Sequence, residues 1–178
     1  NNLRIAENVA FDTIGHCYAL QDGSETGNVF EKNFGAVTRK ATVEIPRETD
    51  HAEVATYYIS NPTNSWIGNV AAGSEAMGFQ FRLQQGVVGA SRTPDNLGLY
   101  PYRESLIAFD SNIIHSSFFM GVKTYPMGYN PRDPVTFTNT VAYRNRGHGF
   151  WILASSNLIL DGGHFADNRN SIVVQKSD

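Results

Sequence analysis

The chain has 178 residues, with 14 Lys and Arg against 17 Asp and Glu; its net charge of −3 leaves no electrostatic footprint for a nucleic-acid partner. No stretch approaches the roughly 18 apolar residues of a membrane-crossing helix, so no membrane span is expected in this segment. Sixteen Gly and seven Pro suit a β domain with many tight corners, and a single cysteine excludes an internal disulfide.

In chain order, the sequence opens on Asn1-Asn2 with neither an initiator Met nor a signal-peptide pattern, and it stops just after a strand-like run. Both features lead us to expect residues 1–178 to be a single segment of a larger multidomain protein. The first β-rich phrase is Asn8-Val9-Ala10-Phe11, leading to Gly15-His16-Cys17-Tyr18. Cys17 lies inside an apolar run and is read as a packed thiol rather than a nucleophile. Weaker copies follow. They are Asn28-Val29-Phe30 with Asn33-Phe34-Gly35, Ile67-Gly68-Asn69-Val70-Ala71 with Gly78-Phe79-Gln80-Phe81, and Ile107-Ala108-Phe109 with Asn112-Ile113-Ile114. Val141-Ala142-Tyr143 then leads to Gly147-His148-Gly149-Phe150 at the offsets of the first phrase.

Short strand pieces repeated in this way predict an all-β solenoid, because one unit cannot bury its own apolar face and must stack on the next. The spacing is uneven, and the excess falls in two stretches, Arg39 to Ala55 and Gln84 to Arg103, rich in Pro, Gly, Asp and charge. These are expected to bulge from the coils as loops, where binding residues collect. A solenoid cut between coils also exposes unpaired strand edges, so the isolated segment is expected to be poorly soluble or oligomeric.

The register is clearest near the C-terminus. A shift of 23 residues carries Asn145 to Asn168, Val135 to Leu158, Phe137 to Leu160, Ala142 to Phe165, Phe150 to Val173 and Trp151 to Val174. Coils about 4.8 Å apart would then stack like on like, with Val135, Phe137, Leu158 and Leu160 facing inward. Asn145 and Asn168 are expected to form an amide ladder at a turn. The same shift sets Arg144 over Asp167, an exposed pair contributing about 0 to 1 kcal/mol.

The stretch from Gly15 to Asn28, followed by Asn33-Phe34-Gly35 and Thr38-Arg39, resembles the right-handed parallel β-helix region of a family of large surface proteins. That family includes the cell-migration-inducing hyaluronan-binding protein, its transmembrane hyaluronidase relative, the fibrocystins, and microbial and algal homologues. Three further blocks are similar to it: Tyr58-Ile59-Ser60-Asn61-Pro62 running to Asn69–Glu75 and Gly78-Phe79, Ala142–Asn145 with Gly147-His148-Gly149, and Phe165–Asn168. The resemblance implies an extracellular or cell-surface β-helix and a complex, hyaluronan-like polysaccharide as ligand. Neighbouring domains of the same chain, or like chains, are its other expected partners. It delivers no catalytic residues. Where relatives often read Glu-Asp-Gly, this chain has Gln21-Asp22-Gly23, one carboxylate fewer.

Glycoside hydrolysis needs two carboxyl groups about 5 to 9.5 Å apart. Asp22, Glu25 and Glu75 are the carboxylates inside the repeating phrases, and Asp22 with Glu25 and His16 makes the catalytic candidate set for a hydrolase or lyase. The competing reading is turn chemistry, with Asp22 bonding nearby backbone amides. His16 and His148 are equivalent but 132 residues apart, four to six coils or about 19 to 29 Å, so they cannot share a metal ion. Each is read as a corner side chain, with a base on a bound sugar as the alternative. Phe79, Phe81 and Trp151 are assigned to packing; Tyr100, Tyr102, Tyr125 and Tyr129, in or beside irregular segments, are the candidates for exposure. With Glu75, His148 and the cations Arg82, Arg92 and Arg103, Tyr102 and Tyr125 make the candidate ligand-binding set for an acidic polysaccharide.

There is no Gly-x-Ser-x-Gly, no phosphate-loop sequence and no paired cysteines, so neither a serine-hydrolase triad, a metal nor a cofactor is expected. Asn61-Pro62-Thr63 and Asn64-Ser65-Trp66 both fail the N-glycosylation sequon. The sequence thus supports a surface module that binds or processes a polysaccharide. The rival is a structural or adhesive solenoid without activity.

Overall fold

The computed structural model describes residues 1–43 and 53–177. Within them the chain winds through six coils of three strands each. The coils are β1 (Arg4–Ala6), β2 (Val9–Ile14) and β3 (Tyr18–Ala19); β4 (Val29–Glu31), β5 (Phe34–Arg39) and β6 (Ala55–Ile59); β7 (Ser65–Ile67), β8 (Val70–Ala72) and β9 (Met77–Phe81). They continue as β10 (Ala108–Asp110), β11 (Ile113–His115) and β12 (Met120–Thr124); β13 (Val135–Thr138), β14 (Val141–Tyr143) and β15 (His148–Leu153); β16 (Leu158–Asp161), β17 (His164–Ala166) and β18 (Asn170–Gln175). The first, second and third strands of the coils form three six-stranded parallel sheets, the architecture of a parallel β-helix.

One inward column per sheet builds the core. The first sheet stacks Ile5, Phe30, Trp66, Phe109, Phe137 and Leu160. The third stacks Tyr18, Tyr57, Phe79, Val122, Phe150 and Ile172. Between these aromatic walls the second sheet supplies smaller side chains, Ala10, Gly35, Ala71, Ile114 and Ala142, before Phe165. Large rings on two sides need small residues on the third to keep the interior close-packed. Burying each large ring contributes about 1.5 to 3 kcal/mol.

The corner between first and second sheets is drawn the same way in every coil. Glu7, Lys32, Gly68, Ser111, Asn139 and Gly162 all have left-handed backbone, φ between 51° and 68°. In the first four coils the next residue is asparagine. The first three of these amides each donate to the side-chain oxygen of the next, Asn8 to Asn33 at 3.0 Å, Asn33 to Asn69 at 3.0 Å and Asn69 to Asn112 at 3.1 Å. The ladder satisfies backbone groups that a sharp corner takes out of the sheets. It stops at Thr140, whose buried hydroxyl has no partner.

The expected Asn145–Asn168 rung is present at the corner between second and third sheets, at 2.9 Å. The 23-residue register holds through Val135–Leu158, Phe137–Leu160 and Ala142–Phe165. In the third sheet it fails, because Phe150 pairs with Ile172 and Trp151 with Val173. The corner after β14 has four residues, Arg144–Gly147, and the one after β17 has three, so the pairing slips by one. Arg144 does sit over this later corner, its N–H donating to Ala166 O at 3.2 Å, but among the described residues no ion pair joins it to Asp167. Beside the rung the glycines of the repeating phrases approach closely, and a Cβ at Gly121 would run into the carbonyl oxygen of Gly149.

Both long insertions fall where expected, between β5 and β6 and between β9 and β10. Most of the first lies outside the described residues. Its end is held to the outer face of the third sheet, where Glu53 accepts two hydrogen bonds from Lys123 Nζ at 3.0 and 3.1 Å. That face carries a second apolar cluster of Val54, Ala55, Tyr58, Ala76, Met77 and Met120, with Trp151 packed against it.

Candidate functional site

The connection from β9 to β10 folds through three short 3₁₀ turns, Gly89–Ser91, Pro94–Asn96 and Pro101–Arg103. It encloses a hollow of about 370 Å³ lined by Gln84, Gln85, Gly86, Val87, Val88, Arg92, Asn96, Leu97 and Tyr100. A second hollow of about 300 Å³ shares Gln84 and Gln85 and adds Arg82, Pro126 and Met127. The two make one open groove with a guanidinium in each part and primary amides between them. Among the described residues that line it there is no carboxylate.

Elements far apart in sequence position this groove. β9 alternates, so Phe79 and Phe81 point inward while Gln80 and Arg82 point outward. On β12 the same alternation sends Lys123, and after the strand Tyr125, to the outer face, and on β15 it sends Trp151. Lys123 Nζ lies 4.4 Å from the Tyr125 ring centre and 5.4 Å from that of Trp151. The His148 ring meets Trp151 edge-on at 5.8 Å. Arg82, Tyr125 and His148 are therefore brought to one outer face, and of the three Arg82 lines the groove.

Asp22 holds the loop from below. Its Oδ2 accepts hydrogen bonds from Ser91 N at 3.1 Å and Ser91 Oγ at 2.9 Å, and its backbone oxygen accepts from Val88 N. Gly89, with φ of +61°, passes so close to the Asp22 carboxylate that a side chain there would collide with it. Glu25 is also engaged, its two oxygens accepting from Asp22 N at 2.9 Å and Gly23 N at 2.8 Å. His16 is buried at a different corner, with strand β3 between it and Asp22. Its Nδ1 accepts from Ala55 N at 3.0 Å, and its ring stacks on Tyr58 at 4.3 Å. The structure thus does not gather Asp22, Glu25 and His16 around one open point.

The remaining candidates separate. Glu75 sits at the corner between second and third sheets and accepts from Lys40 N. Tyr102 packs against the core, Arg103 lies over its ring at 5.6 Å, and neither lines the groove. One aromatic assignment is corrected. Tyr129 is fully buried, its hydroxyl donating to Glu104 O at 2.9 Å, because the segment after β12 folds back under the loop. Its burial pushes the phenol well above its ordinary pKa. Trp151 packs as assigned, against the second apolar cluster on the outer face, because Phe150 and Ile152 take the inward positions of β15. Cys17 is half-buried with Sγ 3.2 Å from Thr38 Oγ1. His16 and His148 lie four coils apart, about 19 Å along the axis.

Gln84, Gln85 and Asn96 were not singled out from the sequence, nor was the Lys123–Glu53 pair. The only sequence signal for the amides is their place between the cations Arg82 and Arg103.

A family model described as CEMIP beta-helix matches residues 1–122. The human cell surface hyaluronidase CEMIP2 is 26% identical over 94% of this chain and 16% of its own length. The human cell migration-inducing and hyaluronan-binding protein is 28% identical over 94% and 16%. Communication mutant protein F of Dictyostelium discoideum is 34% identical over 66% and 12%. The chain thus spans less than a fifth of the length of these relatives. With the three-sheet coil, the corner asparagines and the family match in agreement, this chain belongs to the CEMIP beta-helix family.

Proposed function

We propose that this chain is a module of an extracellular or cell-surface protein and that its loop groove binds an acidic polysaccharide. The observation that carries this reading is the lining of the groove: Arg82 and Arg92, the amides of Gln84, Gln85 and Asn96, and the Tyr100 ring, with no carboxylate among the described residues that line it. Guanidinium forks take carboxylates in two-point hydrogen bonds, amides suit sugar hydroxyls, and a ring face suits the apolar side of a pyranose. The printed names of two relatives, a hyaluronidase and a hyaluronan-binding protein, support a uronate polymer such as hyaluronan as ligand. The coils are assigned the right-handed sense that parallel crossovers almost always take.

Binding is a better fit than hydrolysis at this groove, since the described residues that line it do not include the pair of carboxyl groups that hydrolysis needs. Asp22 and Glu25 are assigned to holding the loop and its turn. Calorimetric titration with hyaluronan oligosaccharides tests the reading. The double substitution R82Q/R92Q should weaken binding by about tenfold or more, equivalent to about 1.4 kcal/mol. Unchanged affinity in a folded variant defeats it.

A second reading, a structural or adhesive module, is favoured by the outer face of the second sheet. There Val9, Phe34, Val70, Ile113 and Val141 form an uncharged column. Concentration-dependent light scattering that V70K/I113K abolishes would support it.

A further inference from the structure

The corner between the second and third sheets carries a feature that the groove does not use. Phe118 and Phe119, just before β12, are 50% and 46% exposed. Arg146 lies over the Phe118 ring at 5.0 Å and Lys40 over Phe119 at 5.8 Å. On the two following coils Arg144, Arg146 and Arg169 are all exposed.

The fold forces these charges together. Asn145 and Asn168 are hydrogen-bonded rungs of one ladder, and Arg146 and Arg169 directly follow them, so the two guanidinium side chains leave neighbouring coils about 4.8 Å apart at the backbone. Like charges on adjacent strands repel. Among the described residues no ion pair neutralises Arg144, Arg146 or Arg169. Among the described residues, two acids lie at this corner. Glu75 is turned to Lys40 N, and Asp167 stands beside the arginines without pairing with them. A local excess of cations on a chain of net charge −3 is therefore maintained by backbone register.

We propose that this ridge is a second anion site, separate from the groove, and that it takes a sulfated glycan laid along the helix axis. Charge density selects that class. Three exposed arginines on two adjacent coils suit anions packed more closely than one carboxylate per disaccharide, whereas the groove, with two arginines among neutral amides, suits a sparsely charged uronate chain. An anionic membrane is the other surface with such charge, but the two phenylalanine rings that would insert are each faced by a cation.

The protein is passed over immobilised heparin and immobilised hyaluronan while salt is raised, beside R146Q/R169Q, R82Q/R92Q and the charge-retaining R146K/R169K, each first checked for an unaltered melting profile. R146Q/R169Q should lose heparin retention by about tenfold in affinity and leave hyaluronan unaffected, and R146K/R169K should recover part of the loss. R82Q/R92Q should do the reverse, so failure of the ridge and failure of the groove are told apart. Heparin retention unchanged in R146Q/R169Q, or absent from the unaltered protein, overturns the proposal. So does loss of binding to phosphatidylserine vesicles by R146Q/R169Q in place of loss on heparin.

Discussion

Lys123 and Glu53 are 70 residues apart in the chain, yet Lys123 Nζ donates to both carboxylate oxygens of Glu53. The ammonium is nearly sealed, with side-chain exposures of 6% for Lys123 and 40% for Glu53, so the partners are unequal. Removing one member of a fully buried pair costs about 3 to 5 kcal/mol, and the partial exposure of Glu53 reduces that. Glu53→Gln leaves a sealed cation without its counter-charge and should cost about 1 to 3 kcal/mol in urea unfolding. Lys123→Met leaves a carboxylate that can turn to water and should cost less. The opposite order would show that the pair is not what holds this loop end.

The four-rung ladder ends at Thr140, whose buried hydroxyl has no partner. Thr140→Asn would supply an acceptor for the Asn112 amide and a donor of its own. A net gain of about 0.5 to 1.5 kcal/mol is expected from equilibrium unfolding. Asn69→Ala, in mid-ladder, should cost about 3 kcal/mol, because it strands groups on both neighbouring rungs. Equal, small effects from the two substitutions would refute the ladder as a source of stability.

Asp22 is assigned to support the groove. Asp22→Asn retains one acceptor but loses charge toward Ser91, so the melting point should fall with a loss of about 0.5 to 2 kcal/mol, and hyaluronan affinity should weaken as the loop loosens. A polysaccharide-degrading rate in the unaltered protein that vanishes in a fully stable Asp22→Asn would instead revive the catalytic reading of this corner.

His115 makes stability depend on pH in a stated direction. Burial lowers its pKa below the usual 6.5, and the Arg144 charge adds to this; its ring stacks on Tyr143 at 4.9 Å. Below pH 6.5 the unfolded chain binds the proton more readily than the folded one, so stability should fall as pH drops from about 6.5 toward the lowered value. His115→Gln should flatten that part of the curve in thermal melts between pH 5 and 7. An unchanged slope would rule out His115 as its source.

Much of the coil was legible in the sequence, because the features that repeat are those that touch their own copies. Val135, Phe137, Leu158 and Leu160 could be registered since stacked strands place like on like, and Asn145 over Asn168 followed from the same shift. The longer ladder from Asn8 to Asn112 went unseen, as insertions of different length separate its members and no constant period survives. One residue fewer at the last corner was enough to move Phe150 from Val173 to Ile172. The two loops announced themselves by composition, but a loop's path is set by distant contacts. Only the fold brought Asp22 under Ser91, Glu53 to Lys123, and Arg82 beside the groove that Arg92 and Tyr100 line. Repetition is local information that a sequence carries; which side chains meet across unequal loops is decided by closure of the coils.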